Sequence, residues 1–197
     1  MPRFLYSNGI SPSQATPGTT GLDHGTCMLS KYVGKDFGIV KRCSPVVINI
    51  PHGEDLYTWL DGLAQVINDV KARRIRKAVL SMSVYWLLEH IKKQGSAETD
   101  EGWIGGLWEK LKELARLNVV LVTASGNNGI GNAGTKKSMD GYPAIMGSSS
   151  APPERRIPSL IVVGAMNAET GKLWHKSNFD KAKDLPHVFA PGENIKC

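Results

Sequence analysis

Apolar side chains recur at steps of three and four through residues 55–70, which is the period of a helix with one buried face. The same spacing predicts a second helix around residues 107–117, and a shorter helix is predicted to begin at His24. Short apolar runs between these segments are typical of strands buried on both faces. The predicted strands are residues 46–50, 78–84, 118–123 and 159–165.

Strands that alternate with long helices pair in parallel through right-handed crossovers. The pattern therefore predicts an α/β fold, a three-layer sandwich with a mostly parallel sheet and helices on both faces. We expect one domain over residues 1–197, in which residues 1–22 form an irregular N-terminal segment crowded with Gly, Ser, Thr and Pro. Functional groups are expected near the carboxyl ends of the strands, because binding loops gather there.

The composition is that of one ordinary soluble domain, with 197 residues, 41% hydrophobic and 21% charged. No segment approaches the roughly 18–20 consecutive apolar residues that span a bilayer, and the first thirty residues show no secretory signal pattern. Three cysteines, Cys27, Cys43 and Cys197, include no C-x-x-C pair and are odd in number. They therefore define neither a zinc site nor a complete set of disulfides.

The net charge of +6 is concentrated most sharply in residues 71–77, which hold Lys71, Arg73, Arg74, Arg76 and Lys77. Such a run is typical of a nucleic-acid-binding surface or of a solvated helix end, where cations also suit the helix dipole. The run follows a predicted helix and precedes a predicted strand, which favours the helix end. We therefore expect no nucleic-acid partner.

His24 is the first candidate for chemistry, because it stands at a predicted loop-to-helix junction between Asp23 and the small residues Gly25 and Thr26. An accessible neutral imidazole at such a place can act as a general base. A histidine that begins a helix is, on its own, more often a cap or a surface residue. The other histidines have no paired metal-ligand spacing and are expected to be structural or exposed.

Asn127 is the second candidate, in the sequence Ser125-Gly126-Asn127-Asn128-Gly129 just after the predicted strand 118–123. A side-chain amide at the carboxyl edge of a sheet can stabilise a developing oxyanion, whereas the alternative is a simple Asn-Gly turn. Residues 129–134 also match the G-x-G-x-x-G string of dinucleotide-binding folds. Residues 135–143 hold Asp140, Gly141 and Pro143, and this helix-poor composition disfavours that match.

Taken in order, these segments resemble the subtilisin-like serine peptidases, or subtilases, over almost the whole chain from about Gly21. Residues 23–27 resemble the family's histidine motif, with Cys27 placed as in some fungal-type members. Residues 119–129 resemble its oxyanion segment, and residues 142–144, 158–165 and 179–195 follow its later landmarks. The resemblance implies that His24 is the catalytic base and that Asn127 is the oxyanion donor.

The chain also departs from the family, in which a strand ending in the catalytic aspartate precedes the histidine motif and a Gly-Thr-Ser motif bears the nucleophile. Neither motif is found here, since Met1 falls after the first and Cys197 before the second. Asp23 adjoins His24 and is not at the aspartate motif, and the candidate hydroxyls of Ser125, Ser148, Ser149 and Ser150 do not stand in the nucleophile motif. The resemblance therefore implies a domain that is incomplete at both ends and a chain that is inactive.

Residues 80–85 resemble the family's substrate-binding strand, where leucine and glycine usually follow the serine. Ser83, Val84 and Tyr85 are therefore the candidates for contact with a peptide, by addition of the substrate as a further strand. Tyr85 is bulky where glycine is common, which puts the shape of the primary specificity pocket in question. The alternative for the whole segment is a plain core strand.

Two functions remain open after the sequence is considered, and a dinucleotide-binding oxidoreductase, which a nucleotide titration would detect, is a distant third. The first is a fragment of a serine endopeptidase that hydrolyses peptide or protein substrates through a Ser-His-Asp triad, with His24 and Asn127 in one cleft about ten ångströms apart. The second is a short non-catalytic protein that acts by binding. We expect no membrane partner and no cofactor; structural calcium is common in the family, but no Asp-rich loop places it here. The resemblance implies secretion or a vacuolar location.

Overall fold

A computed structural model describes residues 3–6, 24–50, 56–89, 91, 97–129, 139–193 and 195. The described residues up to Ala72 form one compact unit, and those from Arg73 to Ile195 form another. The first unit is called the N-terminal unit and the second the C-terminal unit.

The N-terminal unit places two parallel strands against a long helix. Its elements are β1 (Arg3–Tyr6), α1 (His24–Val33), β2 (Val46–Asn49) and α2 (Leu56–Ala72). β1 pairs in parallel with β2, so that Arg3 lies opposite Val46. The Arg3 guanidinium donates to both carboxylate oxygens of Asp69 on α2, with Nη2 at 2.7 Å from Oδ2. This two-pronged contact fixes β1 to the helix.

The expectation of an irregular segment over residues 1–22 is wrong for Arg3–Tyr6, which form a strand. Four residues are too few to show a hydrophobic period. Their conformation is set instead by the ladder to β2 and by the contact with Asp69, both made with residues far along the chain. Residues 7–22 lie outside the described part.

The C-terminal unit is built on a four-stranded parallel sheet with the order β3-β5-β7-β8. A separate antiparallel pair joins β4 to β6, with Trp86 opposite Tyr142 and Leu87 opposite Gly141. The elements are β3 (Ala78–Met82), β4 (Trp86–Leu87), α3 (Ala97–Arg116), β5 (Val119–Ala124), β6 (Gly141–Tyr142), β7 (Leu160–Met166) and β8 (Val188–Pro191). The predicted α/β fold with a mostly parallel sheet is confirmed.

One face of this sheet is buried and is where α3 packs. Leu80, Leu121 and Leu160 lie on it, opposite one another through the strand register. The fully buried Trp103 of α3 makes edge-to-face contacts with Trp86 at 5.4 Å and with Tyr142 at 6.3 Å. Because those two rings belong to β4 and β6, Trp103 holds the antiparallel pair in place.

The opposite face of the same sheet carries exposed apolar side chains, although the sequence predicts helices on both faces. Alternation along the strands puts Val79, Val120, Ile161 and Val188 on this face. Their exposed fractions are 65%, 44%, 37% and 49%. Neighbouring apolar side chains with this exposure form a patch that a soluble monomer seldom shows.

The basic run of residues 71–77 has the predicted structure of a solvated helix end. Lys71 lies in the last turn of α2. It is exposed, as are the basic residues between it and β3, which are Arg73, Arg74, Arg76 and Lys77. Among the described residues, every helix is too short or too polar to cross a membrane.

Replacing Leu121 by alanine is expected to lower the free energy of unfolding by about 2–5 kcal/mol, because its fully buried side chain leaves a cavity beneath α3. The matched control is Val120→Ala on the same strand. Because the Val120 side chain is exposed, this change is expected to lower the free energy of unfolding by less than about 1 kcal/mol. Urea unfolding followed by circular dichroism measures both. Equal losses would contradict the assignment of the two faces.

The exposed face is expected to bind an apolar fluorescent dye at neutral pH. A variant carrying Val79→Thr, Val120→Thr and Ile161→Thr should bind markedly less dye, since each change adds a hydroxyl to the face and keeps the branched shape that suits a strand. Dye fluorescence and light scattering measure the effect. No dye binding by the unmodified protein would show that the face is covered in solution.

Candidate functional site

His24 is the first residue of α1, as the sequence predicts, and its imidazole is exposed. Gly25 and Thr26 beside it are also exposed, and a Cβ added at Gly25 would meet no atom within 4 Å. The histidine is therefore open to an approaching group. Its role as a base and the fungal-type assignment of its motif stay predictions.

Asn127 stands in the loop that leaves β5, and its side chain is exposed. The turn begins at Gly126, whose φ of +98° is in the left-handed region that favours glycine. The predicted position, at the carboxyl end of a central parallel strand, is where the structure puts Asn127.

This loop is bound on both sides of Asn127 by one segment, Lys176–Asn178. The Asn178 N–H donates to the Gly126 carbonyl at 3.2 Å, and the Asn128 N–H donates to Asn178 Oδ1 at 2.7 Å. The Gly129 N–H donates to the Lys176 carbonyl at 3.0 Å. The backbone that carries Asn127 is thus fixed at both neighbouring residues, whereas a simple Asn-Gly turn would need no such support.

Asn178 is a site residue that sequence reasoning missed. It is fully buried, and both its backbone and its side chain contact the Asn127 loop. A buried polar side chain is stable when it is hydrogen-bonded, and the hydrogen bond of the Asn178 side chain goes to the loop that carries Asn127. The available signal was the polar pair Ser177-Asn178 between two aromatic residues, Trp174 and Phe179.

Ser83, Val84 and Tyr85 connect β3 to β4, and all three are half-buried. Thr123 of β5 donates its hydroxyl to the Met82 carbonyl at 3.1 Å, which ties the end of β3 to the strand that leads to Asn127. The structure therefore brings the predicted peptide-contact segment and the predicted oxyanion loop to the same edge of the sheet. Contact with a peptide stays a prediction.

The Tyr85 ring lies against the backbone at Gly126 and at Gly141. A Cβ at Gly126 would come within 2.9 Å of the ring, and one at Gly141 within 2.1 Å of Cζ. Burial raises the pKa of the Tyr85 hydroxyl, and the nearby Asp140 raises it further. The Asn178 amide and the backbone at Asp140 and Gly141 lie close enough to the hydroxyl to lower that pKa. Among the described residues, however, neither the hydroxyl nor Asn178 Nδ2 completes a hydrogen bond of normal geometry.

The candidate serines differ in accessibility. Ser125 is buried with its Oγ at 3.3 Å from Ser177 Oγ, and Ser148 is buried with its hydroxyl donating to the Lys183 carbonyl at 2.8 Å. Ser149 and Ser150 are exposed, and Ser149 donates to Asp184. The two buried hydroxyls are committed to internal hydrogen bonds and are closed to a substrate.

His24 belongs to the N-terminal unit, and Asn127 belongs to the C-terminal unit. Their predicted meeting in one cleft stays a prediction. In the described part of the chain, no three His, Cys, Asp or Glu side chains form a group that could hold a metal ion. The expectations on calcium and cofactors stay predictions as well.

No protein-family model and no curated protein matches the chain. Among solved structures it is similar to the protease domain of PatA, with a TM-score of 0.63, 20% identity and coverage of 98% of this chain and 61% of that one. The prenylagaramide maturation protease PagA gives a TM-score of 0.56 and 20% identity, over 98% of this chain and 57% of that one. The epidermin leader peptide processing serine protease EpiP from Staphylococcus aureus gives 0.53 and 19%, over 79% and 36%.

The chain spans less than two thirds of the length of each of these three structures. Their identities to it lie at 20% or below, so the likeness is one of fold. The parallel sheet and the helix that packs on it accord with that likeness. The chain has the α/β fold of the subtilisin-like proteases.

Proposed function

We propose that this chain is the middle part of a serine endopeptidase domain, with His24 as the general base and Asn127 as the oxyanion donor. The observation that carries the proposal is the loop of residues 125–129, whose backbone is held by hydrogen bonds to Lys176 and Asn178. This loop presents the exposed amide of Asn127 at the carboxyl end of β5. A peptidase needs a donor that is fixed before the charge develops. The subtilisin-like fold supports the same conclusion.

In the complete domain, a serine hydroxyl would attack the peptide carbonyl while His24 takes the hydroxyl proton. Asn127 Nδ2 would then donate to the oxygen that becomes negative. The peptide would lie as an added strand beside Ser83 and Val84. His24 would return its proton to the leaving amine, and water would release the acyl group by the reverse steps.

This chain itself is expected to be inactive, because two of the three triad residues have no candidate. Strand β1 precedes His24, as the aspartate strand does in the resembling family, but residues 1–22 contain neither Asp nor Glu. No Gly-Thr-Ser sequence occurs anywhere in the chain. Ser125 and Ser148 are buried, and their hydroxyls are hydrogen-bonded to Ser177 and to the Lys183 carbonyl, respectively.

The second candidate function is a non-catalytic protein that binds peptides. The observation that favours it is β1, which pairs with β2 and is followed in sequence by Ser7, Asn8 and Gly9 without a carboxylate. The strand is thus present although the acidic residue is not. The coding sequence on either side separates the two candidates: a further aspartate strand upstream and a Gly-Thr-Ser motif downstream support the fragment, and their absence supports the binding protein.

The purified chain is expected to show no labelling by a serine-directed fluorophosphonate and no cleavage of a broad peptide library. In subtilisin, loss of the nucleophilic serine alone costs about 10⁶ in rate, which leaves a rate too low to detect in such an assay. Mass spectrometry of the labelled protein and of the peptides measures both.

The matched control is His24→Ala, which is expected to leave the background unchanged. Covalent labelling of Ser125, Ser148, Ser149 or Ser150, or cleavage that His24→Ala abolishes, would show that the site is complete by another route and would contradict the proposal of an incomplete site.

A further inference from the structure

The Tyr85 ring fills a slot whose walls include the backbone at Gly126 and Gly141. Both glycines approach the ring so closely that an added Cβ would overlap it. Gly126 also needs to be glycine for its left-handed φ of +98°, whereas Gly141 has no such backbone constraint. At Gly141, therefore, the close approach of the Tyr85 ring is the reason that only glycine fits.

The ring is held there by the architecture around it. Tyr85 immediately precedes β4, which pairs with β6 so that Leu87 lies opposite Gly141. Trp103 contacts Trp86 on β4 and Tyr142 on β6, and it is fully buried. The two walls and the tyrosine are consequently fixed relative to one another.

The slot adjoins the loop of Asn127. Gly126 is a wall of the slot and also the residue before Asn127, and an added Cβ there would lie 2.7 Å from Asn178 Nδ2. The far end of the slot is polar, because the Tyr85 hydroxyl, Asn178 Nδ2 and the charge of Asp140 lie close together. In the described part, neither the hydroxyl nor Nδ2 has a hydrogen-bond partner, although both are buried.

We propose that the Tyr85 ring fills this slot and thereby closes it to the side chain of a bound peptide. When Tyr85 is removed, the slot binds a planar phenolic ring. The first part rests on the proposed peptide site, and the second rests on geometry alone. A peptide that lies beside Ser83 and Val84 then has room only for glycine or alanine at the position facing Tyr85. A free phenol is not tethered to the backbone, so it can shift until its hydroxyl meets Asn178 or Asp140.

The direct test is binding of 4-methylphenol to Tyr85→Gly and Tyr85→Ala. Saturable binding with a Kd of about 1 mM or tighter is expected for a ligand of this size, with a rise in Tm. Toluene, which lacks the hydroxyl, is expected to bind more weakly. The unmodified protein and Tyr85→Phe, which keep the ring, are expected not to bind. Binding to all four proteins, or to none, would overturn the proposal.

The second arm is a double-mutant cycle between Gly141→Ala and Tyr85→Ala. Gly141→Ala is expected to lower the Tm of the unmodified protein and of Tyr85→Phe, because the new methyl group meets the ring. In the Tyr85→Ala background the same change is expected to have no cost, since the ring is gone. Equal losses in both backgrounds would contradict the close contact.

Tyr85→Phe separates the ring from its hydroxyl. A buried hydroxyl without a partner is unfavourable, so its removal is expected to leave the Tm unchanged or to raise it. A clear fall in Tm would show that the hydroxyl is a satisfied part of the structure. If Tyr85→Ala is unfolded alone, 4-methylphenol is expected to restore its near-ultraviolet circular dichroism, and no restoration would count against the slot.

A third arm distinguishes failure of the slot from failure of the proposed function. Peptides with glycine or tyrosine at one central position are compared for binding to the unmodified protein and to Tyr85→Gly by fluorescence polarisation. Tyr85→Gly is expected to improve binding of the tyrosine peptide about tenfold relative to the glycine peptide, because only the tyrosine peptide buries a ring in the opened slot. If 4-methylphenol binds Tyr85→Gly but neither peptide does, the slot stands and the peptide site does not.

Discussion

The buried side chain of Asn178 is the contact on which the candidate site depends. Asn178 Oδ1 accepts a hydrogen bond from the Asn128 N–H, and the Asn178 backbone N–H donates to the Gly126 carbonyl. One residue therefore fixes both neighbours of Asn127. The sheet brings these segments together, because β5 leads into the loop and β7 lies directly beside β5. A side chain that is exposed while its backbone is fixed has the preorganised geometry that transition-state stabilisation needs.

The same residue connects the loop to the slot of Tyr85. Asn178 uses its oxygen on the loop and leaves its Nδ2 beside the Tyr85 hydroxyl, without a partner among the described residues. Buried polar atoms without partners cost about 1–3 kcal/mol each, so natural proteins keep few of them and often for function. In the unmodified protein the Tyr85 ring fills the space beside these atoms and the two glycines, so a ligand with its own hydroxyl is expected to reach them only after Tyr85 is removed.

Most long elements could be predicted from the sequence because their hydrophobic period is local. The apolar positions of α2 recur over four turns, and the start of α1 at His24 follows from the loop-like residues before it. β1, β4, β6 and β8 were not predicted, since strands of two to four residues show no period and depend on partners elsewhere. Among the site residues, Asn127 was found from its place after a strand, whereas Asn178 was not, because its contacts join distant segments. Tyr85 was noticed for its bulk, but where the ring lies is decided by Gly126 and Gly141.

The proposed peptidase role needs His24 and Asn127 in one site, so the distance between these two residues in solution is the measurement to make. A nitroxide label on Asn127→Cys, with the free and exposed Cys43 replaced by serine, broadens nuclear magnetic resonances near it. We expect strong broadening of the His24 imidazole signals, which is lost when the label is reduced, because a shared site puts the two residues about ten ångströms apart. Sharp His24 signals with the label intact would contradict a shared site and, with it, the proposed peptidase role.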